Sequence, residues 1–506
     1  MSKKLVLNSL SGTALYAVNI VVAFIMSPII IRVLGNRDYG LWELVMSVIG
    51  YMGLLDLGIG PALVRFVAVA DGKQDKDDLQ KTISTSFIFF LVVSVVAVLS
   101  FLVLGYFPGI IAGSEAKDIA NIGTVFMILG LNAGMLFPMQ VFIATLMGVQ
   151  RHYFINNIRM LLLIVRAALA YYLLLRYQGH GLIIMALLEL VFSAIKFVAF
   201  VGAVSLDKNI PKISFSAVSR VKAKEMIVFG AKSATMMVAS RLQNQSVPLI
   251  IGNVLGLGQI VFFVMPNRLI DYAKGLSFAI GFPLTPYFGS AVGKGNNDEL
   301  VKSWLNTTLA LQIVSLSMLV VVFFCGETFL GLWIGTEYAV AGRVVLYILL
   351  VGLVASSVAT NAFRILTAQD KHGRCALVWI FLSAASIPAG IWGAHLWGVA
   401  GVAAGTTIVT VLANTVTVYM ACSVMQVSIM TFLNKTLTRV MLPLLILASA
   451  LGLYRHFMHV LNYFDLVIQV FLSGSIYIIA VWFFTFDDVV RKYLLLQVRL
   501  KFKRAV

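Results

Sequence analysis

An all-α polytopic membrane protein is predicted, with about fourteen transmembrane helices in two six-helix lobes related by a parallel internal repeat, plus two C-terminal helices. Three observations predict it. The 506 residues are 60% hydrophobic and 12% charged, with a mean hydropathy of +0.96, which is more apolar side chain than soluble cores can hold. Apolar stretches long enough to cross a bilayer alternate with short polar joins along the whole chain. Finally, residues 254–300 laid over 33–79 without a gap, at an offset of 221, match at fourteen of forty-seven positions, where shared apolar composition gives roughly one in ten.

The segments run roughly 8–33, 39–66, 82–106, 119–145, 155–176, 180–203, 224–252, 258–289, 303–325, 340–365, 374–394, 398–422, 436–454 and 462–486, each near the ~20 residues a bilayer requires. The basic start Met1 to Lys4 precedes an apolar run with no small-residue cleavage site, so it is expected to stay as the first span. Breaks at Gly58 to Pro61, Pro138, Pro248, Pro283 and Pro286 are tolerated at membrane depth where they are buried or line a cavity.

The duplication lays helices 1–2 on helices 7–8, and a fainter echo sets Leu146 to Gln150 against Ile365 to Gln369. Six helices per copy keeps both copies in one orientation, with a substrate path expected between lobes. The expected organisation is an N-terminal lobe over 1–203, a linker over 204–224, a second lobe over 225–422, two further helices within 423–486 and a basic tail over 487–506.

The net charge of +17 would suggest nucleic acid in a soluble chain, but here it follows position. Counting the termini and alternate joins as one side gives twenty-six Lys and Arg; the other side has six, which places both termini in the cytoplasm and excludes a nucleic-acid partner as the reason for the charge. The tail from Arg491 onward then meets lipid headgroups.

Charges inside the spans carry the chemistry, because each costs about 2.5–3.5 kcal/mol near the bilayer centre unless it has a partner, water or a ligand. Arg166 and Glu189 sit at matching depth in one hairpin, twelve residues before and eleven after a turn near Gln178, and are expected to form a structural ion pair. Lys196 and Lys232 lie nearer the helix ends and can snorkel. About the turn near Gly256, Arg241, Arg268 and Asp271 fall at mid-membrane with Lys274 close by. One carboxylate cannot neutralise three cations, so Arg241, Arg268, Asp271 and Lys274, with Asn244 and Gln245 one turn from Arg241, form a candidate anion site. Asn19 shares a stripe of the first helix with Asn8 and Ser11, either facing the cavity or joining helices. Glu43, Asp56 and Arg65 on the second segment are candidates for gating or ion coupling; Asp56 could instead hold Arg65 or local backbone.

Several stretches resemble a known family: Asn8-Ser9, Ser27-Pro28 through Arg32-Val33-Leu34-Gly35, Asp38 to Trp42, and Leu54-Leu55-Asp56-Leu57-Gly58-Ile59-Gly60 through Val64-Arg65. Together they are similar to the polysaccharide transporter family, the O-antigen flippases of the multidrug/oligosaccharidyl-lipid/polysaccharide exporter superfamily. The resemblance implies a bacterial inner-membrane flippase that moves undecaprenyl-diphosphate-linked glycan (O-antigen, capsule or exopolysaccharide unit) from the inner to the outer leaflet by alternating access. Its partners would be that glycan lipid, membrane lipids and the glycosyltransferases or polymerase of the same pathway. A peptidoglycan-precursor flippase or multidrug antiporter of the same superfamily, a small-cation antiporter and a non-transporting scaffold of glycan assembly stay open.

No enzyme is expected: the outer joins are short and carry no acidic or histidine cluster, and no phosphate loop is present. No cofactor is implied. Cys325, Cys375 and Cys422 lack metal-ligand spacing, and the close pair His456 and His459 is read as interfacial.

Overall fold

The structure is a computed structural model that describes residues 3–113, 115, 119, 121–281, 284–293, 295–458, 460–486 and 491. The tail beyond Arg491, Lys117, Pro283, Lys294 and His459 lie outside the described residues, as does the side chain of Lys232. The described chain is helical, with no strand among the described residues. Its helices are α1 (Lys3–Met52), α2 (Ile59–Lys73), α3 (Lys76–Tyr106), α4 (Gly109–Ala112), α5 (Ile122–Gly148), α6 (His152–Arg176), α7 (Gly181–Ser205), α8 (Arg220–Val254), α9 (Ile260–Gly281), α10 (Leu284–Gly293), α11 (Asn297–Trp333), α12 (Thr336–Ala368), α13 (His372–Val424), α14 (Ile429–Leu433), α15 (Arg439–Phe457) and α16 (Tyr463–Phe484). Ten stretches among the described residues are long and apolar enough to span a bilayer.

Two of these stretches join pairs of expected segments across a break in the helical backbone. Gly35 leaves helical geometry inside α1, at φ 76° and ψ 169°, and Trp397 with Gly398 does so inside α13. The second expected span ends earlier than its apolar run. Residues Gly53–Asp56 form a 3-10 turn, Leu57 and Gly58 take the left-handed conformation, and α2 starts at Ile59. Pro28, Pro138 and Pro248 are carried inside α1, α5 and α8.

Helix starts follow local capping chemistry. Asp75 accepts from the Asp78 N–H at 2.9 Å, Ser219 from Lys222 at 3.3 Å, Asn296 from Glu299 at 3.2 Å and Asn462 from Asp465 at 3.0 Å.

The chain divides into two compact units. The first holds Met1–Val261 with Ile387–Val402, and the second Phe262–Ser386 with Ala403–Val506. In lipid, helices associate through close packing more than through the hydrophobic effect, and small residues permit it. In the first unit α3 and α5 approach at glycines: a Cβ on Gly123 would stand 2.7 Å from the Gly105 carbonyl oxygen, and one on Gly134 would stand 2.5 Å from a Val98 methyl. In the second unit Trp304 stacks on Phe432 at 5.0 Å, within a core that also buries Phe288, Ile365 and Leu366.

The helix that begins the expected second lobe, α8, lies in the first unit. It is held there at three levels. Near its start Lys222 reaches Asp78 of α3 at 2.5 Å, and a Cβ on Gly58 would stand 2.1 Å from the Gly230 carbonyl oxygen. Midway Tyr51 and Ser246 share a hydrogen bond, and the Gln245 side chain fills the space above Gly50. After its end, the Leu257 N–H donates to Glu115 at 3.4 Å, and the same carboxylate pairs with Arg37 at 3.5 Å.

Candidate functional site

The first unit encloses a cavity of about 760 Å³. Asn19 and Gly50 of α1, Asp56 of the 3-10 turn, Gln140 of α5, Arg159 and Arg166 of α6, Glu189 and Lys196 of α7, and Arg241 and Gln245 of α8 line it. Apolar walls come from Phe90, Phe137, Phe192 and Phe200 with several methionines.

The turn after α1 delivers Asp56. Its carboxylate accepts from the Gly60 N–H at 2.6 Å, at the open first turn of α2. Of the two partners weighed from sequence, neighbouring backbone is the one it meets. Arg241 acts electrostatically on the same carboxylate, and a Cβ on Gly53 would stand 3.2 Å from its guanidinium. Gly53 thus lets the Arg241 head come close to the helix backbone.

The second group spans α6 and α7. Arg166 and Glu189 form an ion pair, as their matched depth in the hairpin predicted, and both line the cavity wall. Seven residues nearer the start of α6 and the end of α7 stand Arg159 and Lys196. Lys196 lies within electrostatic range of both Arg166 and Arg159. Among the described residues no carboxylate pairs with Arg159 or Lys196.

Among the described residues the cavity is therefore lined by four cations, Arg159, Arg166, Lys196 and Arg241, against two carboxylates, Asp56 and Glu189. The formal excess is two positive charges. Arg159 is not among the site residues expected from sequence, and Lys196 is expected near a helix end. The signal that finds them is periodicity: Arg159 and Arg166 are seven apart, as are Glu189 and Lys196, so each pair occupies one face of its helix.

The remaining expected site residues are distributed as follows. Asn244 is exposed and donates to Ser240 at 3.3 Å. Arg268, Asp271 and Lys274 belong to the second unit and are not among the residues lining this cavity. Asp271 accepts from Asn267 at 2.9 Å and pairs with Lys274 at 3.6 Å, and Arg268 acts on it electrostatically. Glu43 accepts from the Tyr39 hydroxyl at 2.5 Å. Arg65 stacks over Phe229, its guanidinium carbon 4.4 Å from the ring centre, and over Phe66 at 5.6 Å. Asn8 and Ser11 join α1 to the start of α6 through Tyr153 and Asn156, so the polar stripe of the first helix divides: its start is glue and Asn19 faces the cavity. The described residues hold no metal-ligating cluster, and all three cysteines are free and buried.

The arrangement of helices is similar to that of solved membrane transporters. The structure matches the lipid II flippase MurJ in an inward closed conformation with a TM-score of 0.69 at 16% identity, over 93% of this chain and 98% of that one. It matches an inward-facing multidrug resistance MATE family transporter of the MOP superfamily with a TM-score of 0.65 at 17% identity, over 84% of this chain and 95% of that one. In sequence, the "Putative O-antigen transporter" of Shigella flexneri is 22% identical over 373 residues, 72% of this chain and 84% of that protein. The profile of the family described as "Polysaccharide biosynthesis protein" matches residues 5–292, and the chain belongs to that family.

Proposed function

We propose that this protein is a flippase carrying an undecaprenyl-diphosphate-linked glycan, an O-antigen, capsule or exopolysaccharide unit, from the inner to the outer leaflet of a bacterial cytoplasmic membrane by alternating access. The observation that carries the reading is the charge of the cavity. Two uncompensated positive charges at membrane depth call for a mobile anion, since each would otherwise cost about 2.5–3.5 kcal/mol. A diphosphate diester supplies two negative charges, and arginine forks suit phosphate oxygens. Amide side chains of Asn19, Gln140 and Gln245 offer both donors and acceptors to sugar hydroxyls. Family membership and the O-antigen transporter relative support a glycan cargo, and the sign of the charge disfavours a cation antiporter.

In this reading Arg241 and Gln245 contact the headgroup in the first unit, while Arg268, Lys274 and Asp271 form a second contact set in the second. Glu43, Asp56 and Arg65 belong to gating or ion coupling, and glycosyltransferases or a polymerase of the same pathway supply and consume the cargo. Glycan export in a deletion strain, normalised to the amount of each variant in the membrane, tests the proposal. Losing a charge-assisted contact costs roughly 1.5–3 kcal/mol, so Arg241→Ala and Arg268→Ala should each slow export about tenfold or more, with Arg→Lys intermediate. Asp271→Asn should be milder. Wild-type export from the Arg241→Ala, Arg268→Ala double variant at normal abundance would leave the scaffold reading in its place.

A further inference from the structure

The hairpin of α6 and α7 repeats one contact with the sign changed. The two helices run in opposite directions, so a step of seven residues toward the start of α6 and seven toward the end of α7 moves both the same way, about 10.5 Å along the axis. At the outer rung Arg166 meets Glu189. At the inner rung the same spacing sets Arg159 level with Lys196; both line the cavity, and Lys196 feels Arg166 and then Arg159 as like charges. Two cations set opposite each other at membrane depth repel, and no helix-packing requirement calls for them. A ligand with two negative charges turns that repulsion into attraction.

Resting on the function proposed above, we infer that the diphosphate of the carried lipid seats at the inner rung, between Arg159 and Lys196, with the Arg166–Glu189 pair as the wall above it. Lys196 is then a specificity residue that distinguishes a diphosphate from a monophosphate. In a diester each phosphate carries one negative charge, so a phosphate diester neutralises one of the two cations and leaves the other, whereas a diphosphate diester neutralises both. Glu189 keeps Arg166 occupied, so the seat counts two charges and not three. Arg241, whose guanidinium lies by Gly53 at another part of the cavity wall and acts electrostatically on Asp56, is left to the glycan.

The test is binding of geranyl methyl diphosphate and geranyl methyl phosphate, diesters that carry two negative charges and one, to the purified full-length protein in detergent micelles, where the shared geranyl and methyl groups cancel in the ratio of the two affinities. The wild type should prefer the diphosphate at least tenfold. Arg159→Gln and Lys196→Gln should each reduce that preference to less than threefold, and Lys196→Arg should keep it. Because Lys196→Gln relieves a like-charge contact, it should not lower the melting temperature, and the ratio of affinities would not respond to a merely structural change. An unchanged ratio in both glutamine variants overturns the seat. So does loss of the preference in Arg241→Gln with retention in Arg159→Gln and Lys196→Gln; that outcome moves the seat and leaves the flippase reading standing. If the wild type binds neither probe, the seat and the anion-cavity reading fall together.

Discussion

Arg166 of α6 and Glu189 of α7 form an ion pair in the wall of the cavity, each with part of its side chain open to that space. Removing one partner leaves the other as an uncompensated charge at membrane depth, which is the costly way to break such a pair. Glu189→Ala should therefore lower the amount of protein in the membrane several-fold, measured by immunoblot of washed membranes. The Arg166→Ala, Glu189→Ala double variant should recover most of it, because the stranded charge is gone.

The crossing of Gly58 and Gly230 gives a second expectation. Gly58 has φ 77°, and a Cβ there would stand 2.1 Å from the Gly230 carbonyl oxygen. Left-handed strain and overpacking each cost about 1–3 kcal/mol. Gly58→Ala should lower the melting temperature of the purified protein by several degrees. Gly72→Ala in α2, where a Cβ would meet nothing within 4 Å, should leave it unchanged or slightly higher.

Lys222 lies outside the spanning segment expected over 224–252 and contacts Asp78 at 2.5 Å and Glu225 at 3.1 Å. Burial alone would lower its ammonium pKa; the two carboxylates outweigh that and hold it above the ordinary lysine value of 10.5. A folded-state pKa above the unfolded one stabilises fully below the unfolded value and is lost as pH rises through the folded one. The stability difference between the wild type and Asp78→Asn should thus be constant between about pH 6 and 9 and shrink only in strongly alkaline solution. A difference that already fades near neutrality would contradict this.

Topology can be read with reporter fusions. Fusions after His180, Gly256 and Arg455 should report the outer side, and fusions after Lys212 and at Val506 the inner side. An outer-side C-terminus would break the scheme of fourteen spans.

The helical membrane class was legible because composition decides it, and the Arg166–Glu189 contact was legible because a short turn ties depth to sequence distance. The rest of the cavity was less so. Lys196 was judged by its distance from the helix end, yet the face of α7 on which it sits is what decides its exposure, and only the spacing from Glu189 carries that information. The halting of the second span at Met52 depends on Gly58 taking a left-handed conformation against Gly230, 172 residues away, which no local pattern announces. Arg241 and Asp271 lie at equal distances from the Gly256 turn, which suggested one site. Arg241 lines the cavity with Asp56, and within the second unit Asp271 pairs with Lys274.

The cavity wall is divided: its cations sit on α6, α7 and α8, while α1 and α5 contribute amides, methionines and small residues. Under the function proposed here, that division separates two evolutionary pressures. The carrier lipid is shared by every cargo and fixes the charged positions. Where cargoes differ in their sugars, the uncharged positions can drift with them without disturbing the electrostatics of the hold. A lineage under immune or phage pressure to alter its surface glycan would then adapt its exporter through substitutions such as those at Asn19 or Gln140, leaving Arg159 and Lys196 untouched.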